Sequence, residues 1–166
     1  MATGLSTQLT GKIGEHIVAA ELARRGIVAT PFSGNVPDID ILAYANGIAH
    51  PIQVKAINKD SWQFDIRKFL NVEVMPKGQI YKGKRTLNRK IICIFVALGE
   101  KTGDEEYYIF RLGWLQDYFD TNFKPRKPPR NINSFHCAIW KQQLSINLNK
   151  WRVVEKAFKL SSTRNV

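Results

Sequence analysis

The sequence predicts a mixed α/β domain built around one central β-sheet. Three observations support this: a proline-free segment rich in Ala, Leu, Glu and Arg near the N-terminus, a strong β-hairpin signal over residues 39–55, and two apolar strand-like runs later in the chain. A helix, several strands and further helices in this order favour one sheet covered by helices. A chain of 166 residues can bury a sufficient core without disulfides or a structural metal. We therefore expect a single domain over residues 1–166.

The first predicted elements are a helix and a strand. Residues Thr10–Arg25 contain no proline and favour a helix that ends at Gly26. A short strand is expected over Ile27–Phe32, followed by a loop at residues 33–37. Apolar residues lie on two sides of the helix, which predicts that most of it is buried; they are Leu9, Ile13, Ile17 and Ala20 on one side and Val18 and Leu22 on the other.

The clearest local signal is a hairpin. The strand-like runs Ile39–Tyr44 and Ile48–Lys55 are joined through Asn46-Gly47, a dipeptide that tolerates the positive φ angles of a tight hairpin turn. Pro51 cannot donate a hydrogen bond to a neighbouring strand, so we expect that part of the second strand at an edge or a bulge.

The later elements complete a sheet and its cover. Residues 61–66 are expected to extend the sheet, Ile91–Leu98 has the composition of a fully buried strand, and Glu106–Leu112 that of an aromatic and β-branched strand. Helices are predicted around Gly113–Asp120 and Leu148–Leu160.

The net charge of +11 lies entirely in the second part of the chain. Residues 1–60 carry five basic and five acidic side chains, whereas residues 61–166 carry 20 basic and nine acidic ones. Such a surface predicts a polyanionic partner, most simply nucleic acid, although basic loops also occur merely to keep a protein soluble. Two clusters concentrate the charge: Lys82, Lys84, Arg85, Arg89 and Lys90, and Lys124, Arg126, Lys127 and Arg130.

Membrane and secreted classes are disfavoured. The longest apolar run, Ile91–Leu98, has eight residues, whereas a membrane span needs about 20. No basic segment followed by an apolar stretch opens the chain, so no signal peptide is expected. Cys93 and Cys137 form no CxxC or zinc-ligand spacing. We expect a cytoplasmic protein that does not associate with membranes.

The hairpin carries the residues best suited to chemistry. Asp40 lies on its first strand, and Gln53 and Lys55 lie on one face of its second strand, because side chains alternate along a strand. A carboxylate, an amide oxygen and a nearby backbone carbonyl are hard oxygen donors that suit Mg²⁺. A lysine beside them could position a water molecule or stabilise charge on a phosphate.

In these residues the sequence resembles the PD-(D/E)XK nuclease superfamily. Its pattern is a helical Glu, an Asp at the start of a hairpin, and a (D/E)-x-K triplet on the next strand; the matching positions are Glu15, Asp40 and Gln53-Val54-Lys55. The chain is similar to poorly characterised bacterial nuclease-like families and to archaeal Holliday junction resolvases. The resemblance covers about the first 60 residues. It implies a restriction endonuclease-like fold, with a nuclease core at about residues 7–112 and a C-terminal extension with a helix at about 113–166.

The resemblance also implies a role for each residue. Asp40, Gln53 and the backbone carbonyl of Val54 would hold Mg²⁺ or Mn²⁺, Lys55 would orient the attacking water, and Glu15 would assist through a bridging water. Asp38 follows Pro37, as in the literal Pro-Asp motif, and competes with Asp40 for the metal. Gln53 departs from the pattern: it offers an oxygen but no negative charge, which should weaken metal binding.

Three hypotheses about function follow. The first is a Mg²⁺-dependent endonuclease, a phosphodiester hydrolase that cuts DNA and grips phosphates with both basic clusters. The second is a nucleic-acid-binding module on the same fold without catalysis, which Gln53 favours. The third is a subunit of a defence or mobile-element system that acts only with a partner. The resemblance further implies that a homodimer is one expected assembly, because many nucleases that cut both strands are dimers.

Overall fold

The computed structural model describes residues 7–160. The ends of the predicted domain, residues 1–6 and 161–166, lie outside this range. The first element of the described range is helix α1 (Thr7–Arg24), and Gly26 follows it with a φ of 73°, so the predicted N-terminal helix is confirmed. Nine strands follow within residues 7–160: β1 (Val28–Val36), β2 (Ile39–Ala45), β3 (Ile48–Ile57), β4 (Ser61–Asp65), β5 (Leu70–Met75), β6 (Gly78–Lys84), β7 (Ile92–Ala97), β8 (Glu106–Arg111) and β9 (His136–Trp140).

Five of these strands form the central sheet, in the order β1-β2-β3-β7-β8. Strands β3 and β7 are parallel and the other pairs are antiparallel, so the protein is a mixed α/β structure with a central mixed sheet. The predicted hairpin is confirmed: β2 and β3 are joined through Asn46 and Gly47, whose φ angles are 51° and 75°. Strand β1 continues through residues 33–36, where a loop was expected, with an irregular register after Pro31.

The expectation that residues 61–66 extend the central sheet is wrong. Strand β4 pairs with β9, and β5 pairs with β6, in two separate two-stranded sheets. The physical reason is that β3 already has β2 on one side and β7 on the other. Trp62 and Phe64 of β4 are instead buried against the central sheet through contacts with Phe95.

Pro51 lies where β3 is still a local edge on its β7 side, as expected, although β3 is a central strand from Ile52 onward. It pairs with Leu42 of β2, and the parallel pairing of β3 with β7 begins one residue later, at Ile52. No ladder hydrogen bond toward β7 is needed at residue 51, which makes proline acceptable there.

Two apolar cores lie on opposite faces of the central sheet. The back core contains Val18 and Leu22 of α1 together with Phe158, which follows helix α3 (Arg152–Ala157). The front core lies beneath β4, β9 and helix α2 (Leu112–Asn122). Helix α3 is shorter than the predicted helix at 148–160, because Leu148 is extended and Asn149 and Lys159 have positive φ angles of 52° and 53°. No helix within residues 7–160 is long and apolar enough to cross a membrane.

Candidate active site

Asp40 lies where the β2–β3 ladder ends. The last pair of that ladder is Ile41 with Ile52, so the backbone N–H of Val54 has no backbone partner on β2. The Oδ2 atom of Asp40 accepts a hydrogen bond from this N–H at 2.7 Å. The carboxylate is thereby fixed beside the β3 backbone at the open end of the hairpin.

The surroundings of Asp40 oppose its ionisation. Burial raises the pKa of the Asp40 carboxyl above its ordinary value, and the negative charge of Glu15 raises it further. The hydrogen bond from Val54 and the charges of Lys55 and Lys12 act in the opposite direction. A partly buried carboxylate whose pKa is raised in this way is stabilised by a cation that compensates its negative charge.

Glu15 reaches the same place from helix α1. The helix lies so close to β3 at Gly14 that a methyl group there would be 2.4 Å from the Cβ of Ala56. The Glu15 side chain is only 13% exposed, and its Oε2 atom forms an ion pair of 2.7 Å with Lys12. Close packing between α1 and β3 therefore positions the second carboxylate.

Lys55 lies on β3 beside the front core. Its ammonium group is 5.4 Å from the centroid of the Phe64 ring, and its backbone carbonyl accepts a hydrogen bond of 3.0 Å from the indole of Trp62. Burial lowers the pKa of Lys55, and the nearby positive charge of Lys68 lowers it as well, while Asp40 opposes both. The front core thus holds this lysine in a partly desolvated position.

Gln53 and Asp38 border the site from the other side of Lys55. The Oε1 atom of Gln53 accepts a hydrogen bond from the thiol of Cys93 on β7, with a distance of 3.8 Å between oxygen and sulfur. Burial raises the pKa of this thiol, so it stays protonated and able to donate. Asp38 is exposed in the turn between β1 and β2, with a φ of 62°.

Two clefts meet at Lys55. One has a volume of about 510 Å³ and is lined by Glu15, Asp40, Val54 and Lys55, among others. The other, of about 360 Å³, is lined by Lys55 together with Asp38, Gln53, Lys68 and Arg85. The structure thus brings Glu15, Asp40 and Lys55 to one cleft, and places Gln53 and Asp38 in the next.

Metal-binding capacity rests on a small donor set. Across residues 7–160, no three or more His, Cys, Asp or Glu side chains converge in a way that could hold a metal ion. Asp40 and Glu15 supply two carboxylates near one cleft, which Val54 also lines. This set fits Mg²⁺, which is commonly bound by one or two carboxylates together with oxygens of a substrate phosphate.

The first basic cluster is partly neutralised within the protein. Lys84 and Arg89 both form ion pairs of 2.7 Å with Asp117 of α2, and Lys82 lies 3.5 Å from Glu73. Arg85 instead lines the cleft with Lys55. The Lys90 side chain is exposed.

The second basic cluster is fastened to the β5–β6 hairpin. Gln79 of β6 is 5% exposed, its Nε2 atom donates to the carbonyls of Ile132 and Ser134, and its Oε1 atom accepts from the backbone N–H of Arg126. We call residues 124–134 the basic arm. Its side chains Lys124, Lys127 and Arg130 are exposed, while Arg126 also donates to the carbonyl of His136.

Three residues that shape this region are not predicted by the sequence. Lys68 enters the cleft from the 3-10 turn Ile66–Lys68, and the buried glutamines Gln79 and Gln116 fasten the basic segments. The sequence offers no signal for them, because each acts through contacts with residues distant in the chain.

Comparison with solved structures shows a likeness in fold to a known protein. No family model matches the chain, and no curated protein matches it. The solved structure of a bacterial homing endonuclease, I-Ssp6803I, is similar over 92% of this chain and 95% of its own, with 14% sequence identity and a TM-score of 0.54. The chain therefore has a nuclease-like fold. At this level of identity the likeness concerns the fold alone.

Proposed function

We propose that this protein is a Mg²⁺-dependent endonuclease that hydrolyses phosphodiester bonds in DNA. The observation that carries the proposal is the half-buried group of Glu15, Asp40 and Lys55, which lines one cleft at the open end of the β2–β3 hairpin. The nuclease-like fold and the basic second half of the chain support the same conclusion. The resemblance to the PD-(D/E)XK superfamily assigns the same three residues.

The metal would be held by Asp40 and the carbonyl of Val54. One oxygen of Asp40 is engaged by the Val54 N–H, which leaves the other for a cation. The N–H and C=O of one strand residue point toward the same neighbour, so the Val54 carbonyl also opens toward Asp40. Gln53 would join this set by turning its amide oxygen from Cys93. A bound Mg²⁺ would polarise the phosphate and acidify a bound water.

Lys55 and Glu15 would supply the remaining catalytic functions. Lys55, beside Asp40, donates hydrogen bonds to the attacking water or to the phosphate oxygens and stabilises their developing negative charge. Glu15 orients water from the opposite wall of the cleft. In the reaction the water oxygen forms a new bond to phosphorus, one P–O ester bond breaks, and the leaving oxygen takes up a proton.

The basic clusters would hold the duplex by its phosphates. Lys124, Lys127 and Arg130 of the basic arm are exposed, and the arm lies against the β5–β6 hairpin through Gln79. Contacts to phosphate release counterions, so affinity should fall steeply as salt increases. They position the DNA but carry no sequence information directly.

The direct test is a nicking assay on supercoiled DNA with Mg²⁺ or Mn²⁺. Wild type is compared with Lys55→Ala and with Lys156→Ala, a control at an exposed position on α3. We expect nicking by wild type and the control, and a loss of about 100-fold or more in Lys55→Ala. Equal nicking by all three proteins would contradict the proposal.

A second function is favoured by one observation. Gln53 replaces the acidic residue of the superfamily pattern, and its oxygen rests on the Cys93 thiol. A nucleic-acid-binding module without catalysis would show no nicking with any divalent metal, yet bind DNA in a salt-dependent way that survives both chelation and Lys55→Ala.

A further inference from the structure

The cleft on the far side of Lys55 differs in charge from the cleft of Asp40. It is lined by three cationic side chains, Lys55, Lys68 and Arg85, and by one carboxylate, Asp38. The Asp40 cleft combines Asp40 and Glu15 with Lys55 and Lys59. One side of Lys55 therefore favours an anion, and the other side suits a cation.

Lys68 and Arg85 are available to a ligand, in contrast to their basic neighbours. Arg67 is occupied by Asp65 and by the ring of Phe135, and Lys84 and Arg89 are paired with Asp117. Within residues 7–160, Lys68 has no ion pair or side-chain hydrogen bond. One terminal nitrogen of Arg85 donates a hydrogen bond to the carbonyl of Arg67, and the other donors of its guanidinium group stay free.

The wall that carries these cations is fixed in place. The backbone N–H of Arg85 donates to the carbonyl of Phe69 at 2.9 Å. Gln116 of α2 donates to the carbonyls of both Phe69 and Arg85, at 2.9 and 2.6 Å. A wall ordered before binding loses little entropy when an anion enters.

The same cleft has apolar surface, which strengthens its electrostatic attraction. Phe64, Phe69, Leu87 and Leu112 contribute to its lining. Charges interact more strongly beside low-dielectric groups than in bulk water. An anion that enters this cleft would meet Lys68 and Arg85 without full competition from solvent.

We propose that Lys68 and Arg85 bind a second phosphate of the strand that is cut, beside the phosphate attacked over Asp40 and Lys55. This inference rests on the proposed function, since it uses the Asp40 cleft to place the first phosphate. Lys55, shared by the two clefts, would contact both phosphates. Lys68 and Arg85 are thus positioning residues that fix the register of the strand in the cleft.

The test is a phosphate-neutralisation scan read by binding, so it does not depend on cleavage. A set of DNA duplexes carries one methylphosphonate each, moved one position at a time, and affinity is measured for wild type, Lys68→Ala, Lys68→Arg and the control Lys156→Ala. We expect Lys68→Ala to weaken binding of unmodified DNA about fivefold to tenfold. That loss should disappear at one methylphosphonate position, and Lys68→Arg should restore most of the affinity.

Two results would overturn the inference. The first is a Lys68→Ala affinity equal to that of wild type on unmodified DNA. The second is a loss that stays the same at every methylphosphonate position, which would indicate a general charge effect. Failure of the proposed function looks different, because it would leave wild type without nicking activity whatever the outcome of the scan. The loss of affinity caused by Arg85→Ala should disappear at the same methylphosphonate position as the loss caused by Lys68→Ala.

Discussion

The back and the front of the central sheet position functional groups by different means. On the back, α1 carries Glu15 to the site through close packing of Gly14 against Ala56. On the front, two buried glutamines, Gln79 and Gln116, each make three hydrogen bonds that fasten the basic segments. Close packing thus positions Glu15, and directional hydrogen bonds position the basic segments. Substitutions in each region test the contribution of close packing and of hydrogen bonding separately.

Gly14→Ala should give the largest effect on stability. The added methyl group would lie 2.4 Å from the Ala56 Cβ, so α1 must move away from β3. We expect the free energy of unfolding to fall by about 1–3 kcal/mol, as for overpacked cores, with cleavage reduced because Glu15 moves with the helix.

Gly11→Ala is the matched control on the same helix. A methyl group there meets no atom within 4 Å. The substitution should raise the free energy of unfolding by about 0.5–1 kcal/mol, because alanine loses less backbone entropy than glycine in a helix. Chemical denaturation measures both changes. Similar effects of the two substitutions would contradict the close packing of α1 on β3.

Gln116→Met removes an amide while keeping the length of the side chain. The carbonyls of Phe69 and Arg85 lose a donor, and Arg89 loses an acceptor. We expect a loss of about 2 kcal/mol in the free energy of unfolding. Gln142→Met, at an exposed position, should stay within about 0.5 kcal/mol of wild type. A Gln116→Met protein as stable as that control would show that these hydrogen bonds do not contribute to the free energy of unfolding.

Gln79→Met should affect DNA binding more than stability. The side-chain hydrogen bonds to Ile132, Ser134 and Arg126 are removed, so at this residue only the backbone hydrogen bond from the Gln79 N–H to the Arg126 carbonyl still holds the basic arm to the β5–β6 hairpin. We expect about 1 kcal/mol of destabilisation. The slope of log affinity against log salt should become shallower by about 0.9 for each phosphate that the arm no longer neutralises. An unchanged slope would place the arm outside the DNA interface.

Asp40→Asn should give the smallest change, and in the opposite direction. Burial and Glu15 raise the pKa of Asp40, so ionisation of this group disfavours the folded state. Asparagine keeps an oxygen for the Val54 N–H, and we expect a gain of about 0.5 kcal/mol. Because the folded-state pKa is raised, the wild type loses relative stability as pH rises through that pKa. The gain should therefore be present at neutral pH and shrink as the solution is acidified.

Local signals account for the parts of the fold that the sequence predicts well. The turn Asn46-Gly47, the proline-free helix and the apolar strand β7 are each determined by residues close together in the chain. The pairing of β4 with β9 and of β5 with β6 was not predicted. Such pairing depends on which strand edges are already occupied, and β3 has both edges filled.

The burial of side chains on helix α1 was also only partly predicted from local sequence. Periodicity predicts two apolar faces, but the buried face contains Thr10, Gly14, Val18 and Leu22, while Leu9 is 48% exposed. A glycine adds no hydrophobicity to a helical wheel, yet Gly14 allows α1 to lie close to Ala56 of β3.

The candidate site was partly predictable for a comparable reason. Motif spacing identifies Asp40 and Lys55, which the hairpin brings to one cleft. Their roles, like those of the other site residues, stay predictions. Charge counting could not foresee that Asp117 neutralises Lys84 and Arg89, nor that Lys68 lies beside Lys55, because both facts depend on tertiary contacts.

The most direct test of the proposed site is a Mg²⁺ titration of single-turnover DNA cleavage with wild type and Asp40→Asn. Asp40→Asn suits this test because it should fold at least as stably as wild type. The proposed role of Asp40 predicts a wild-type rate that saturates with Mg²⁺, and a variant that needs about tenfold more Mg²⁺ or does not cleave. Identical titration curves for the two proteins would contradict it.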